Sequence, residues 1–327
     1  MDDGNPEQDG TTNPGDGTTT DPGDDATTNA ADDTTTDAAD DTSGDSGETG
    51  DPPPTDSELL ENVAYANISD AQMLDLYIPA GEGPFAVVVL IHGGGFEQGD
   101  KSASATSAQF LASNGIAAAA INYRLSGEAT FPAAVHDCKA AVRFLRTHAS
   151  DYRLDPDRIG AWGESAGANL ASMLGTSSGD AYTEDLALSN ADVSSSVSTT
   201  ISWFPPVNFL TIDQEAAALG LNIDTNAADS FESKYMGFPV QEDPDQVALA
   251  NPTTYIDRDD SAFLVQAGDE DPLMPYTQSQ NFHAALEPVL GPDRAQFDLL
   301  VGSGHGSGDF QSDENLARVL AFLESHL

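Results

Sequence analysis

The sequence predicts an α/β domain: a mostly parallel central sheet with helices on both faces and a small helical cap insertion, preceded by a disordered N-terminal tail. Three observations lead there. Strand-like and helix-like apolar patterns alternate from Asn62 to the C-terminus, the signature of parallel strands joined by crossover helices. Phe85 to Ile91 (Phe-Ala-Val-Val-Val-Leu-Ile) is continuously apolar, as a strand buried on both faces must be. Arg158 to Gly167 (Arg-Ile-Gly-Ala-Trp-Gly-Glu-Ser-Ala-Gly) is an apolar run that stops at a serine between small residues, which reads as strand, sharp turn, helix.

The tail is set apart by composition. Residues 1–57 contain no Val, Ile, Leu, Phe, Tyr or Trp, so they cannot bury enough apolar surface to offset the entropy of ordering them. Repeats of Thr, Asp, Gly, Asn and Pro make this stretch a self-repelling, extended linker, stiffened at Pro52-Pro53-Pro54. Residues 58–327 are then one large domain. The tail holds 17 of the 55 acidic residues and none of the 11 basic ones, which leaves the domain 38 acidic residues and a formal charge of −27. Nucleic acid and anionic membranes are excluded as partners, since their approach would be repelled.

Only three of the basic residues are lysines, Lys101, Lys139 and Lys234. Two explanations fit an acidic, lysine-poor surface: salt adaptation, or an ordinary acidic secreted protein. The lone Cys138 lies in an amphipathic helical pattern and reads as a core residue, with no intrachain disulfide. No stretch is long or apolar enough to insert into a membrane. Met1 runs straight into a charged spacer, which no export signal does, so a native signal is expected to have been removed. A long acidic Thr/Gly/Pro linker suits a secreted, periplasmic or cell-surface protein, including one held by a lipid tether on that lost N-terminus.

Taken in order, Val63, Tyr65 and Asn67 alternate and Met73 to Ile78 follow, an opening antiparallel hairpin. Phe85 to Ile91 is the first central strand and runs into His92-Gly93-Gly94-Gly95-Phe96. Three glycines directly after a central strand let the backbone turn N–H groups toward a ligand; the alternative is a merely flexible loop. Ser104 to Asn114 is a helix, Ile116 to Tyr123 a strand, and Phe131-Pro132 opens a helix with Ala134, Val135, Cys138, Ala141, Val142 and Leu145 on its apolar side. After the strand from Arg158 to Trp162 comes a helix over Ala166 to Leu174, then a strand over Val197 to Phe204.

The segment from Val207 to about Asp257 breaks the rhythm with short helical pieces between Gly and Pro. It is expected to be a cap that shapes a pocket, the alternative being a decoration of the sheet edge. Strand, helix and strand resume over Ala262 to Ala267, Tyr276 to Leu286 and Gln296 to Val301. Ser312 to Leu327 closes the chain as a helix capped by Ser312.

Gly163-Glu164-Ser165-Ala166-Gly167 fits a nucleophile elbow, although a five-residue match also arises by chance as a glycine-rich turn. A serine needs a base to take its proton and a carboxylate to hold the base. Of six histidines, His136, His148 and His283 fall in helical patterns, His326 is penultimate, and His92 is placed to brace the glycine loop. His305 alone sits on a glycine-flanked loop at a strand end, where α/β sheets keep their chemistry. The loop after the preceding strand offers Asp269 and Asp271. The order Ser, Asp, His is that of α/β hydrolases.

The domain resembles the α/β-hydrolase esterases with a His-Gly-Gly-Gly motif, and within them the bacterial acetyl-xylan and feruloyl esterase-like group, close to the hormone-sensitive-lipase-like esterases. The likeness rests on His92-Gly93-Gly94-Gly95-Phe96, Asn122-Tyr123-Arg124-Leu125-Ser126, Asp137 to Arg143, Gly163 to Gly167, Asp271-Pro272-Leu273-Met274-Pro275 and Gly304-His305-Gly306. The resemblance implies Ser165 as nucleophile, His305 as base and Asp271 as its carboxylate, with Asp269 second in line. It implies an oxyanion hole from the N–H groups of Gly94, Gly95 and Ala166, and neither metal nor cofactor. Ala168 departs from the group, which usually has a further glycine there. Phe96, Phe204, Phe209 and Met274 are candidates to line the substrate pocket, or else core.

The expected reaction is hydrolysis of a carboxylic ester, small or polysaccharide-linked, with acetyl or feruloyl groups leading. A general short-chain carboxylesterase, also accepting synthetic or phthalate esters, is the alternative, and an inactive cell-surface polysaccharide-binding homologue is the reading from another class. If the acidity is salt adaptation, the melting temperature is expected to rise with molar NaCl as screening relieves self-repulsion. A flat or falling response in a calorimetric salt series leaves the ordinary secreted protein.

Overall fold

The computed structural model describes residues 57–327. All of the acidic linker except Ser57, with the disorder expected of it, lies outside the described residues. Eight strands form the sheet: β1 (Glu58–Ala64), β2 (Met73–Ile78), β3 (Phe85–Ile91), β4 (Ala117–Ile121), β5 (Leu154–Glu164), β6 (Thr199–Trp203), β7 (Ala262–Gly268) and β8 (Ala295–Leu300). Their spatial order is β1-β2-β4-β3-β5-β6-β7-β8. The pairs β1/β2 and β2/β4 are antiparallel and the rest are parallel. This is the α/β-hydrolase fold. Its parallel strands all end on one side, and the loops leaving β3, β5, β7 and β8 gather there.

The helices are α1 (Ala105–Ser113), α2 (Ala133–Thr147), α3 (Ala166–Thr176), α4 (Ile212–Ala218), α5 (Phe231–Met236), α6 (Pro244–Ala248), α7 (Thr277–Leu290) and α8 (Asp313–His326). The pleat of β3 divides the interior: Val87, Val89 and Ile91 face α2 and α3, while Ala86, Val88 and Leu90 face α1 and α8. The α7 side chains Phe282 and Leu286 cover Phe263 and Val265 of β7. Helix α3 comes very close to the sheet at Gly175, where a Cβ would stand about 2.5 Å from Phe263 and Ser261.

Several element boundaries differ from expectation. β1 starts at Glu58 and ends before Tyr65; it is an edge strand, mostly exposed on both faces, so its residues show little alternation. β5 begins at Leu154 rather than Arg158; Asp155 to Arg158 continue the strand but are partly or wholly exposed and mostly polar, so they lack an apolar strand pattern. Helix α7 continues to Leu290 through Pro288 in its last turn. Ser312 caps α8 by accepting a hydrogen bond from Asn315 N–H.

The few basic side chains are largely committed to internal partners. Lys139 and Arg143, fully buried on α2, both pair with Glu184. Arg124 forms a two-pronged pair with buried Asp137, whose carboxylate also accepts from Gln72 Nε2 at 2.7 Å. Lys101 holds Asp75 at 2.8 Å, Arg153 holds Glu58 at 2.9 Å, and Lys234 holds Glu97 at 2.9 Å. Arg146 donates to the carbonyls of Pro156 and Ser196. Cys138 is a buried free thiol.

Among the described residues, the carboxyl of Asp260 is buried without a salt bridge, the nearby Arg294 donating to its backbone carbonyl instead. Asp260, 9% exposed, accepts the Asp257 N–H at 2.7 Å, and burial pushes its pKa up to about 7. A carboxyl raised above its unfolded value stabilises the fold below about pH 4 and loses that contribution as pH climbs through its folded pKa. Asp260→Asn keeps the acceptor oxygen without the charge. Its melting temperature is expected to exceed that of the parent by a margin that widens from about pH 5 to pH 8; an increment independent of pH in thermal melts contradicts this.

Candidate active site

The site is built on the turn between β5 and α3. Ser165 has φ 53° and ψ −123°, a backbone conformation that side chains rarely adopt. Close approach explains its neighbours. A Cβ on Gly163 would stand 2.0 Å from the Gly167 carbonyl oxygen, and one on Gly167 would stand 2.1 Å from the Ile91 carbonyl oxygen. The Ser165 N–H is held by the Trp203 carbonyl at 3.0 Å, and its own carbonyl accepts from Ala168 and Asn169 as α3 begins.

Three loops converge on this serine. His305 Nε2 lies 3.0 Å from Ser165 Oγ, and His305 Nδ1 lies 2.7 Å from Asp271 Oδ2. Asp271 is buried, and its other oxygen accepts the N–H groups of Leu273 and Met274 at 2.8 and 2.9 Å. Those two bonds fix the carboxylate facing the imidazole. Asp269 points elsewhere: it is exposed and accepts the Gly302 N–H at 2.6 Å, tying the β7 loop to the β8 loop. Of the two candidate aspartates, only Asp271 meets the histidine.

The glycine loop after β3 lies alongside. Gly94 and Gly95 have φ of 114° and 62°. Among the described residues, no protein acceptor takes the N–H groups of Gly94, Gly95 or Ala166, which leaves them for a ligand. His92 braces the loop from behind: its ring is buried, stacks on Tyr123 at 4.5 Å and bonds the Gly93 carbonyl at 2.7 Å. Burial lowers its pKa, which favours a neutral imidazole donating from Nδ1.

A cavity of about 670 Å³ opens in front of Ser165. Of the expected lining residues, Phe96, Phe204 and Met274 border it. Phe204 packs against the His305 ring at 4.5 Å. Phe209 is a correction: it lies in the core, edge-on to Phe96 and Tyr235, because its stretch of the insertion turns inward over α3. The insertion reaches the cavity instead through Asn222 to Asp224 and Ser230 to Glu232.

Phe231 and Leu273, both exposed at the mouth, carry no sequence signal beyond their size. Glu164 and Glu232 also face the cavity, and burial raises the pKa of each, the nearby His305 partly offsetting this for Glu164. Among the described residues no group of His, Cys, Asp and Glu is arranged to hold a metal ion. The arrangement can deprotonate a hydroxyl, hold the cation that results and donate hydrogen bonds to an anion beside it.

Comparison with known proteins points the same way. The chain is 29% identical over 178 residues to the esterase LipQ of Mycobacterium tuberculosis, and 27% identical over 273 residues to that organism's probable carboxylic ester hydrolase LipM. The matches take in 51% and 80% of this chain but only 37% and 61% of those relatives. Among solved structures, the bifunctional GH43-CE of Bacteroides eggerthii superposes with a TM-score of 0.72 at 31% identity, over 82% of this chain and 38% of that one. A truncated carbohydrate esterase from gut microbiota superposes with a TM-score of 0.74 at 28% identity, over 84% of this chain and 99% of that one. The BD-FAE family model matches residues 74–286, from β2 into α7, a span that holds the glycine loop, the elbow and Asp271. The chain therefore belongs to the BD-FAE family.

Proposed function

We propose that this chain is a serine carboxylic-ester hydrolase acting through an acyl-enzyme on acyl groups carried by plant polysaccharide, acetyl or feruloyl. The observation that carries the chemistry is the unbroken line from Asp271 through His305 to Ser165, at 2.7 and 3.0 Å, beside three N–H groups with no protein acceptor. His305 Nε2 takes the Ser165 proton as Oγ bonds to the ester carbonyl carbon, and the carbonyl oxygen becomes an oxyanion. Gly94, Gly95 and Ala166 hold that oxyanion, each such donor contributing about 3 kcal/mol in the transition state.

The C–O ester bond then breaks, and the alcohol leaves with the proton from His305. Water gives its proton to His305 and its oxygen to the acyl carbon; the acid departs and Ser165 recovers its proton. Asp271 keeps the proton of neutral His305 on Nδ1 and stabilises the charged form. The carbohydrate assignment is supported by the structural neighbours named as carbohydrate esterases. An apolar cavity wall of Phe204, Ile223, Leu273 and Met274 supports the second reading, a short-chain carboxylesterase of broad scope. The acidic linker supports a location outside the cell or tethered at its surface.

A turnover panel of acetylated xylan, methyl ferulate and p-nitrophenyl esters of rising chain length separates the two readings: preference for the first two supports the carbohydrate esterase. Ser165→Ala is expected to abolish p-nitrophenyl acetate hydrolysis with the fold intact. Ser165→Gly is equally inactive but relieved of a Cβ at positive φ, and is expected to be about 1 kcal/mol more stable than Ser165→Ala in urea. Asp271→Asn is expected to lower kcat by roughly 10³ to 10⁴, far more than Asp269→Asn; the reverse ranking transfers the role to Asp269.

A further inference from the structure

The glycine loop does not hold its own shape. Gly94, Gly95 and Phe96 are three successive residues at positive φ, and the third, at 61°, is not a glycine. A left-handed phenylalanine is strained and persists only if its surroundings impose it. Here they do so through the ring. Phe96 is 1% exposed and stacks face to face on Tyr235, centroids 3.9 Å apart and planes within 10°. Phe209 meets it edge-on at 6.0 Å. The Phe96 carbonyl accepts the Ser126 N–H at 2.7 Å.

Tyr235 lies on α5, and α5 follows the loop residue by residue. Phe231 lies against Gly95, so closely that a Cβ there would stand 2.4 Å from the ring. Tyr235 covers Phe96, and Lys234 pairs with Glu97 at 2.9 Å. At the far side, the Tyr235 carbonyl accepts the Phe131 N–H at 2.8 Å, and Phe131 packs edge-on to the Tyr235 ring. The Tyr235 hydroxyl itself is buried with no hydrogen-bond partner, so the position uses the ring and not the hydroxyl.

We propose that Tyr235 is a positioning residue for catalysis. By clamping Phe96 in its left-handed conformation, it aims the N–H groups of Gly94 and Gly95 at the site where the oxyanion forms. This rests on the ester-hydrolase reading of Ser165 and its glycine loop. It gives the insertion a part in the chemical step that is separate from shaping the cavity. Loss of the clamp leaves substrate binding in place and misdirects donors that matter only in the transition state, so the effect falls on kcat.

The test is steady-state kinetics on p-nitrophenyl acetate with Tyr235→Leu, Tyr235→Phe, Phe96→Gly and Ser165→Ala side by side. Tyr235→Leu is expected to lower kcat by about tenfold to a hundredfold with KM changed less than about threefold. Tyr235→Phe is expected to restore kcat to within about twofold of the parent, since the hydroxyl has no partner. Phe96→Gly frees the loop while removing the strained side chain, and is expected to lose kcat as Tyr235→Leu does; it decides the matter if Tyr235→Leu does not fold. Undiminished kcat in folded Tyr235→Leu or in Phe96→Gly overturns the proposal, as does failure of Tyr235→Phe to restore kcat. Persistent activity of Ser165→Ala instead overturns the ester-hydrolase reading beneath it.

Discussion

Everything at this site depends on holding a serine where the backbone resists it. Ser165 sits at φ 53° because it is the single residue between the end of β5 and the start of α3, with no other to ease the turn. β5 is pinned between β3 and β6, and α3 is packed hard against the sheet, so neither can yield. The strain, roughly 1 to 3 kcal/mol, is the cost of raising a hydroxyl clear of the strand ends toward His305. Gly163 and Gly167 follow from it, since their Cβ positions are already occupied by carbonyl oxygens.

The insertion between β6 and β7 is less a lid than a wall. Phe209, Ile212, Tyr235, Met236, Val240 and Val247 are buried in the main core. Burying a large apolar side chain contributes about 1.5 to 3 kcal/mol, so swinging the segment away as a unit would cost on the order of 10 kcal/mol. Only its outer turns, Asn222 to Asp224 and Ser230 to Glu232, face the cavity. The insertion's share of the cavity wall is therefore a few side chains standing on a fixed support.

Much of this was legible in the sequence where one physical demand dominates. β3 runs over the expected residues at both ends because every residue in it is apolar. The loops of Ser165, Asp271 and His305 could be placed because each follows a strand-like run of the sequence, and the structure brings those three side chains together. Legibility failed where exposure and direction decide. β1 is an exposed edge and Asp155 to Arg158 of β5 are exposed and mostly polar, yet both belong to strands. Phe204 and Phe209 look alike as letters, but one packs against His305 and the other turns into the core. Phe231 lies on a six-residue helix, too short for periodicity to orient it. Spacing alone left Asp269 and Asp271 open; the resemblance named Asp271, and the N–H groups of Leu273 and Met274 that orient it are visible only in the structure.

The spending of nearly every cation on an internal partner shapes what surrounds the molecule. With Lys139, Arg143 and Arg124 turned inward, the domain's excess of carboxylates is left to set the outer potential. An ester hydrolase takes in a neutral ester and gives out an acid that ionises at once. In the proposed reaction a negative field ignores the first and drives off the second, and accumulating carboxylate would meet an electrostatic barrier to re-entry.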